Sequence, residues 1–223
     1  MTAADPVRVI ADLFAAEGAG EYLGEPVTQA QHMLQAAALA EGAGAAPELV
    51  AAALLHDVGH FRGAVSGHQL MSGTDNRHGD QGADWLAQWF GPGVTEPVRL
   101  HVAAKRYLCA VEPGYFGGLS AASVHTLRIQ GGPMTPAQSA EFEASPWCQS
   151  ALRLRRWDDA AKDPEAIVPA FGYYQRLLRQ LVRQHEAGAT REPPAEAQAG
   201  RRGYPERGGE PVRLSAGPLR RGA

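Results

Sequence analysis

The stretch Leu54-Leu55-His56-Asp57-Val58-Gly59-His60 decides how this chain can fold. It continues a run of small and apolar residues that starts at Ala51, so the adjacent histidine and aspartate are expected to lie buried at the end of an apolar helix. A buried charge without a partner is costly, and coordination of a metal ion compensates that cost. His60 follows His56 by one helical turn and shares its face, and Gly59 is a suitable residue to end the helix. The alternative, a surface or capping pair, is disfavoured by the apolar run.

Length and composition indicate one ordinary domain. The 223 residues are 44% hydrophobic, which is enough for a core, and the net charge of −3 offers no basic field for nucleic acid. Cys109 and Cys148 supply neither a disulfide framework nor a Cys-x-x-Cys pair. The N-terminus lacks the pattern of a secretion signal, and no apolar stretch is long enough to span a membrane. We therefore expect a cytoplasmic protein, a monomer or weak homodimer, with no nucleic-acid or membrane partner.

Apolar periodicity and capping residues predict helices along most of the chain. In residues 6–17 the apolar side chains recur every three or four positions, as in an amphipathic helix. Proline or hydroxyl residues open several later segments, and no segment alternates as strands do. The predicted fold class is therefore all-α. The helices are predicted over residues 6–17, 29–41, 47–59, 77–89 (with residue 78 as the alternative start), 96–108, 121–127, 136–144, 146–161 and 167–184, with a loop at 61–76 over the site.

The composition changes after His185. From Ala187 onward the chain carries 7 Arg and 4 Glu among Gly, Pro and Ala. Such a segment buries too little apolar surface to offset the entropy of ordering it. We expect a catalytic domain over residues 1–186 and a disordered tail over residues 187–223.

One histidine falls on each of four successive predicted helices. These histidines are 24, 22 and 23 residues apart, as a helical bundle with a site in its core requires. The alternative, four unrelated histidines on helix faces, is disfavoured by the aspartate of the opening stretch and by a late aspartate, at Asp158 or its neighbour Asp159. Four imidazoles and two carboxylates are too many for one tetrahedral ion. They fit two ions bridged by a carboxylate, and they suit iron or manganese as well as zinc. The candidate ligands are His32, His56, Asp57, His78, His101 and Asp158.

Shorter motifs accompany these ligands over roughly residues 22–162. They are Tyr22-x-x-Glu25, His56-Asp57-x-x-His60, Arg77-His78, His101-x-x-x-Lys105, Ser120-x-x-Ser123, Gln130-Gly131-Gly132-Pro133-Met134 and Arg155-x-x-Asp158-x-x-x-Lys162. The His-Asp core resembles the HD-domain superfamily of metal-dependent phosphohydrolases. With the added motifs, the chain is more similar to the di-iron HD-domain oxygenases that cleave carbon–phosphorus bonds, relatives of myo-inositol oxygenase.

This resemblance implies an HD-domain helical bundle with the metal site in its core. It also implies two iron ions in a mixed-valent Fe(II)/Fe(III) state, with O2 as co-substrate. Asp158 is preferred to Asp159 because its spacing to Lys162 matches the family. By this similarity one iron would be held by His32, His56 and Asp158, the other by His78 and His101, and Asp57 would bridge them.

Position in the sequence and the resemblance together indicate which groups meet the substrate. Lys105 lies one turn after a proposed ligand and Arg155 lies three residues before another, and both suit a phosphonate dianion. The alternative for each is a solvated surface charge. His60 and Ser123 are expected to donate hydrogen bonds to the substrate.

The loop before the first ligand helix is expected to cover the site. In the resembling enzymes a tyrosine at the position of Tyr22 occupies an open iron position until substrate arrives, and Glu25 could meet a cationic amine of the substrate. The alternative is an ordinary exposed loop. The catalytic candidates are thus Tyr22, Glu25, His60 and Lys105. Tyr107, Tyr115 and Phe116 either line the far end of the pocket, which would favour a quaternary ammonium, or belong to the core.

The resemblance implies an O2-dependent oxygenase that cleaves a small 1-hydroxyphosphonate to a carboxylate and phosphate. The expected substrates are 2-amino-1-hydroxyethylphosphonate and its N-trimethyl analogue. The alternative is an HD-type phosphohydrolase acting on a nucleotide or phosphoester, which would need neither Tyr22 and Glu25 nor a redox metal. A non-catalytic ligand sensor is a third possibility, which an intact ligand set with an open position disfavours.

Overall fold

In a computed structural model, which describes residues 5–20, 22, 24–62 and 77–189, all regular structure is helical. The all-α fold class is therefore confirmed. The last helix runs to Ala189, so residues 187–189 of the expected tail are helical and the expectation was wrong there. Residues 190–223 lie outside the described residues, as do residues 63–76 of the expected loop. The helices are α1 Pro6–Glu17, α2 Gln29–Gly42, α3 Pro47–Leu55, α4 Gly59–Arg62, α5 His78–Leu86, α6 Pro92–Val111, α7 Ala121–Ile129, α8 Pro136–Glu143, α9 Cys148–Ala160 and α10 Phe171–Ala189, with a short 3-10 turn at Phe116–Gly118.

Helix α3 is the centre of the domain. Every residue from Leu49 to Leu55 is buried, as expected of a helix that is apolar on all sides. Helices α2, α6, α9 and α10 pack around it. Small side chains such as Ala51 and Ala53, which have no exposed surface, let these neighbours approach closely. The chain therefore carries its metal-competent residues into the interior on the end of a fully enclosed helix.

We expected Gly59 to end the helix that leads into His56, but the structure differs. Helix α3 ends at Leu55, and Gly59 begins the short helix α4. A Cβ on Gly59 would lie 2.0 Å from the carbonyl oxygen of His78, so glycine is needed here because two chain segments touch. The expectation was wrong because a contact between distant residues, and not helix termination, requires the missing side chain.

Helix α6 begins at Pro92, earlier than the predicted start at residue 96. The two glycines around Pro92 favour a break at this point of the sequence, but Pro92 occupies the first helical position, where a missing N–H costs nothing. Pro97 lies inside the helix. Helix α6 carries both His101 and Lys105, which are buried.

Local capping signals fix several other helix ends. Thr28 accepts a hydrogen bond from the backbone of Gln31, whose side chain accepts one from the backbone of Thr28, a reciprocal box that starts α2. Ser120 accepts from the backbone N–H of Ser123 at the start of α7. These caps orient the helices that carry site residues. No helix in the described part of the chain is both long and apolar enough to cross a membrane.

Candidate metal and substrate site

Four histidines from four helical segments meet in the interior. His32 lies on α2, His56 directly follows α3, His78 is the first residue of α5, and His101 lies near the middle of α6. Their side chains are at most 6% exposed. Sequence reasoning predicted this convergence, and the structure brings all four together around Asp57.

The histidines form two pairs, and Asp57 lies between them. The Nε2 atoms of His32 and His56 are 3.0 Å apart, and so are those of His78 and His101. Oδ2 of Asp57 faces the first pair at 3.8 and 3.6 Å, and Oδ1 faces the second pair at 3.4 and 3.5 Å. One carboxylate thus presents a different oxygen to each pair, the arrangement expected of a bridging ligand.

The ring tautomers place unprotonated nitrogens where the imidazoles face each other. The Nδ1 atoms of His32, His56 and His101 lie 2.9, 2.9 and 2.6 Å from backbone carbonyl oxygens. Because a carbonyl only accepts, each Nδ1 carries the proton and each Nε2 keeps a lone pair. Burial lowers the pKa of His56 to about 4 and that of His78 well below its usual range, so both stay neutral. Neutral rings with converging lone pairs repel one another unless a cation lies between them.

Two carboxylates complete the donor set. Oδ1 of Asp158 lies 3.4 Å from Nε2 of His32, and neither this oxygen nor Oδ2 of Asp57 has a hydrogen-bond partner among the described residues. Burial alone would raise the pKa of both carboxyl groups. Neighbouring histidines outweigh burial at Asp57, and Arg155 and His32 do so at Asp158, so both groups remain ionised. Buried, ionised and unpaired oxygens beside imidazole lone pairs fit a pair of metal ions.

A glycine allows the second histidine pair to form. A Cβ on Gly79 would lie 3.1 Å from the carbonyl oxygen of Arg99 and 3.3 Å from Cε1 of His101. Helices α5 and α6 can therefore approach until the side chain of His78 reaches that of His101. The Gly79 position is required by this close approach and by nothing local in the sequence.

Lys105 is a buried cation at the wall of the same cavity. Its side chain donates a hydrogen bond to Oγ1 of Thr126 at 2.9 Å, and no carboxylate of a described residue lies within ion-pair distance of its Nζ. Burial, helped by the charge of Arg155, lowers the pKa of Lys105 to about 7. The cavity has a volume of about 30 Å³. An anion bound in it would stabilise the charged form of Lys105.

Glu25 is tied to the other side of the cavity by Lys162. Oε1 of Glu25 accepts from Nζ of Lys162 at 2.9 Å and from Oγ of Ser120 at 2.5 Å. The same ammonium donates to Ser120 and to Ser123, each at 3.1 Å. The loop that carries Glu25 is therefore held down by an internal cation, at the place where we expected a substrate amine.

Tyr22 and His60 cover the two histidine pairs. The ring of Tyr22 stacks on His32 with centroids 3.8 Å apart, and His60 stacks on His78 at 4.0 Å. Burial raises the pKa of Tyr22, and the carboxylate of Asp57 raises it further. Both residues line the cavity, as predicted for groups near the substrate.

Arg155 contacts the proposed ligand Asp158 directly. Its Nη1 donates to Oδ2 of Asp158 at 2.7 Å, its Nη2 donates to Asp159, and its Nε donates to the hydroxyl of Tyr115 at 3.2 Å. The structure therefore places Asp158 with the histidines, whereas Asp159 pairs with Arg155 and Tyr115.

Some predicted pocket residues lie elsewhere. Tyr107 donates to Glu143 and packs on Phe142, Phe116 is 48% exposed, and neither they nor Tyr115 line the cavity. Sequence reasoning also missed cavity residues: Val102, Ala122, Thr126, Gln130 and Lys162. Gln130 and Lys162 stand in quoted motifs, but nothing in the sequence shows that their side chains reach the site.

Comparison with known proteins agrees with this geometry. The model of the HD domain matches residues 30–115. The chain is 47% identical over 161 residues, 71% of its length and 79% of the relative, to a hydroxymethylphosphonate dioxygenase of Gimesia maris. It is 42% identical over 179 residues, 80% of its length and 91% of the relative, to a [1-hydroxy-2-(trimethylamino)ethyl]phosphonate dioxygenase (glycine-betaine-forming) of Leisingera caerulea. The chain belongs to the HD-domain phosphonate dioxygenases.

The resemblance predicted from the motifs is thus confirmed. An uncharacterized protein of Acanthamoeba polyphaga mimivirus is a further relative, 34% identical over 179 residues, which are 79% of this chain and 81% of that protein. Membership of the HD-domain phosphonate dioxygenases favours an oxygenase over the phosphohydrolase alternative.

Proposed function

We propose that the protein is a di-iron dioxygenase that cleaves the carbon–phosphorus bond of a small 1-hydroxyphosphonate with O2. The observation that carries the proposal is a buried cation, Lys105, beside a cluster of four histidines and two carboxylates. The two relatives named as phosphonate dioxygenases support the same chemistry. The substrates we expect are 2-amino-1-hydroxyethylphosphonate and its N-trimethyl analogue, and hydroxymethylphosphonate joins them because one relative is named for it.

The donor set suits two ions. When bound, mixed-valent Fe(II)/Fe(III) would supply the redox chemistry with O2 that no side chain of the site can provide. Imidazole and carboxylate ligands fit iron, and the converging lone pairs and unpaired oxygens described above support two positions. One ion would be held by His32, His56 and Asp158, the second by His78 and His101, with Asp57 shared between them.

The remaining residues would bind and orient the substrate. Lys105 would offer a point charge to a phosphonate oxygen, held in place by its hydrogen bond to Thr126. Ser123 and His60 line the cavity and can donate hydrogen bonds. The contacts of Arg155 with its three partners use three of its five N–H groups, which leaves donors for the phosphonate.

Tyr22 would act as a lid. Its ring lines the cavity beside the first histidine pair, so a substrate that reaches this pair would have to displace the ring. Tyr22 lies on a loop before α2 and is held by stacking on His32. Its displacement would open the site, and its return would exclude water from the bound substrate.

The reaction balances with one O2 for each substrate. A 1-hydroxyphosphonate and O2 contain together the atoms of one carboxylic acid and one phosphoric acid. Carbon C1 is oxidised to the carboxyl level, the carbon–phosphorus bond breaks, and O2 is reduced. No water and no external reductant are consumed, which separates this reaction from hydrolysis.

Phosphate release with and without O2 tests the proposal. The iron-loaded protein should release phosphate from hydroxymethylphosphonate or 2-amino-1-hydroxyethylphosphonate in air, with one O2 consumed for each phosphate, and release should stop under anaerobic conditions. Asp57→Ala provides the inactive control. Equal release without O2, or turnover of a phosphoester with zinc alone, would support a phosphohydrolase instead.

A further inference from the structure

A closed set of hydrogen bonds surrounds the guanidinium of Arg155. The group is buried and donates to Asp158, Asp159 and the hydroxyl of Tyr115. The hydroxyl of Tyr115 in turn donates to Oδ2 of Asp159. Each member of this set is thus fixed by another, and the guanidinium plane cannot turn without breaking bonds on two sides.

This set controls the orientation of Asp158. Its Oδ2 accepts from Arg155 at 2.7 Å, whereas its Oδ1 points towards Nε2 of His32 at 3.4 Å. Because one oxygen is held by the guanidinium, the other is aimed at the first histidine pair. If the guanidinium moved, the carboxylate could rotate about its terminal torsion, which is broad for aspartate.

Charge balance points the same way. Arg155 is shared by two carboxylates, those of Asp158 and Asp159, and the second takes part of the charge of the guanidinium. Without Asp159 the guanidinium would pair more tightly with Asp158. It would then compete with a metal ion for the negative charge of the Asp158 carboxylate. Partners of this kind beyond the ligands usually affect metal affinity by 10- to 100-fold.

Tyr115 is itself held from outside. The guanidinium of Arg156 lies 5.8 Å from the centre of its ring, and Arg156 pairs with Glu112. The hydroxyl of Tyr115 contacts Arg155 and Asp159, although Tyr115 does not line the cavity.

We infer that Tyr115 and Asp159 are positioning residues that act through Arg155 to aim Asp158 at the first metal position. The inference rests on the proposed ligand set. It assigns these two residues no contact with the substrate, so their removal should affect metal binding at one position before it affects substrate affinity.

Titration of the metal-free full-length protein with Fe(II) under anaerobic conditions tests the inference. Tyr115→Phe and Asp159→Asn keep the size of the side chains. Both variants should bind one ion with wild-type affinity and a second ion 10- to 100-fold more weakly. Tyr107→Phe is the matched control, because Tyr107 makes the same type of bond to a carboxylate, that of Glu143, away from the site. It should bind both ions as the wild type does.

Two results would overturn the inference. If both variants bound two ions with wild-type affinity and lost only thermal stability, the set would be structural support and nothing more. If the wild type bound fewer than two ions, the proposed ligand set would fail and the inference with it. The titration does not depend on turnover, so a wild type that binds two ions but releases no phosphate would overturn the proposed function alone.

Discussion

Glu25 accepts a hydrogen bond from Lys162 at 2.9 Å, although the two residues are 137 positions apart in the chain. A substrate amine that binds Glu25 must therefore share the carboxylate with an internal cation. If Glu25 recognises such an amine, Glu25→Gln should raise KM for 2-amino-1-hydroxyethylphosphonate by about 10-fold or more, since a charge-assisted hydrogen bond is worth roughly 1.5–3 kcal/mol. Hydroxymethylphosphonate, which has no amine, should be affected little. Equal effects on both substrates would show that Glu25 only anchors the loop, and Glu143→Gln, at an exposed carboxylate, serves as the control.

Asp57 is expected to be needed for both metal ions, because each of its oxygens faces a different histidine pair. Asp57→Ala should lose both ions, whereas His78→Ala should weaken mainly the second. Iron content per chain after reconstitution measures this difference. Equal loss in the two variants would argue against a bridging role for Asp57.

Lys105 should give the reaction a pH dependence. Its pKa of about 7 lies far below the usual value, so the charge is present below pH 7 and is lost as the pH rises through this value. The ratio kcat/KM, which reports the free enzyme, should therefore fall above about pH 7 in the wild type. In Lys105→Arg the charge persists and the fall should move to higher pH, while Lys105→Met should raise KM by about 10- to 150-fold. An unchanged pH profile in Lys105→Arg would rule out this lysine as the group responsible.

Gly59→Ala should destabilise the fold and the second histidine pair together. The added Cβ would lie 2.0 Å from the carbonyl oxygen of His78, and overpacking of this kind costs about 1–3 kcal/mol. Tm should fall by roughly 2–12 °C, at about 2–4 °C for each kcal/mol. Gly42→Ala is the control, because a Cβ there meets no atom within 4 Å. A wild-type Tm in Gly59→Ala would show that α4 and α5 can separate at little cost.

The sequence predicted well those features that are determined by residues close together in the chain. Helix α1 was predicted with the observed bounds, Pro6–Glu17, because its proline start, its periodicity and the glycine that follows are local signals. The four histidines could be found because each lies on or directly after its own helix and their residue type carries the chemistry. Gly59 was misassigned because the atom that excludes a side chain belongs to His78.

Contacts within the site were harder to predict than its members. The role that we propose for Tyr115 depends on Arg155, which is 40 residues away in the chain, and the side chain of Tyr115 resembles that of any half-buried aromatic residue. The sequence marks Lys162 only by its spacing from Asp158. Which partner a polar side chain selects is decided by packing between helices, and no pattern along the chain encodes that choice.

The cluster of ligands also has a consequence for the survival of the polypeptide. Because the donors come from segments between α2 and α9, two bound ions would act as non-covalent cross-links between parts of the chain that are distant in sequence. A ligand present at a thousand times its Kd adds roughly 4 kcal/mol to the free energy of unfolding. Without such ions, the lone pairs and carboxylates that face each other would instead favour opening of the interior. Iron supply would then govern the resistance of the apoprotein to proteases, and so its abundance, as well as its turnover.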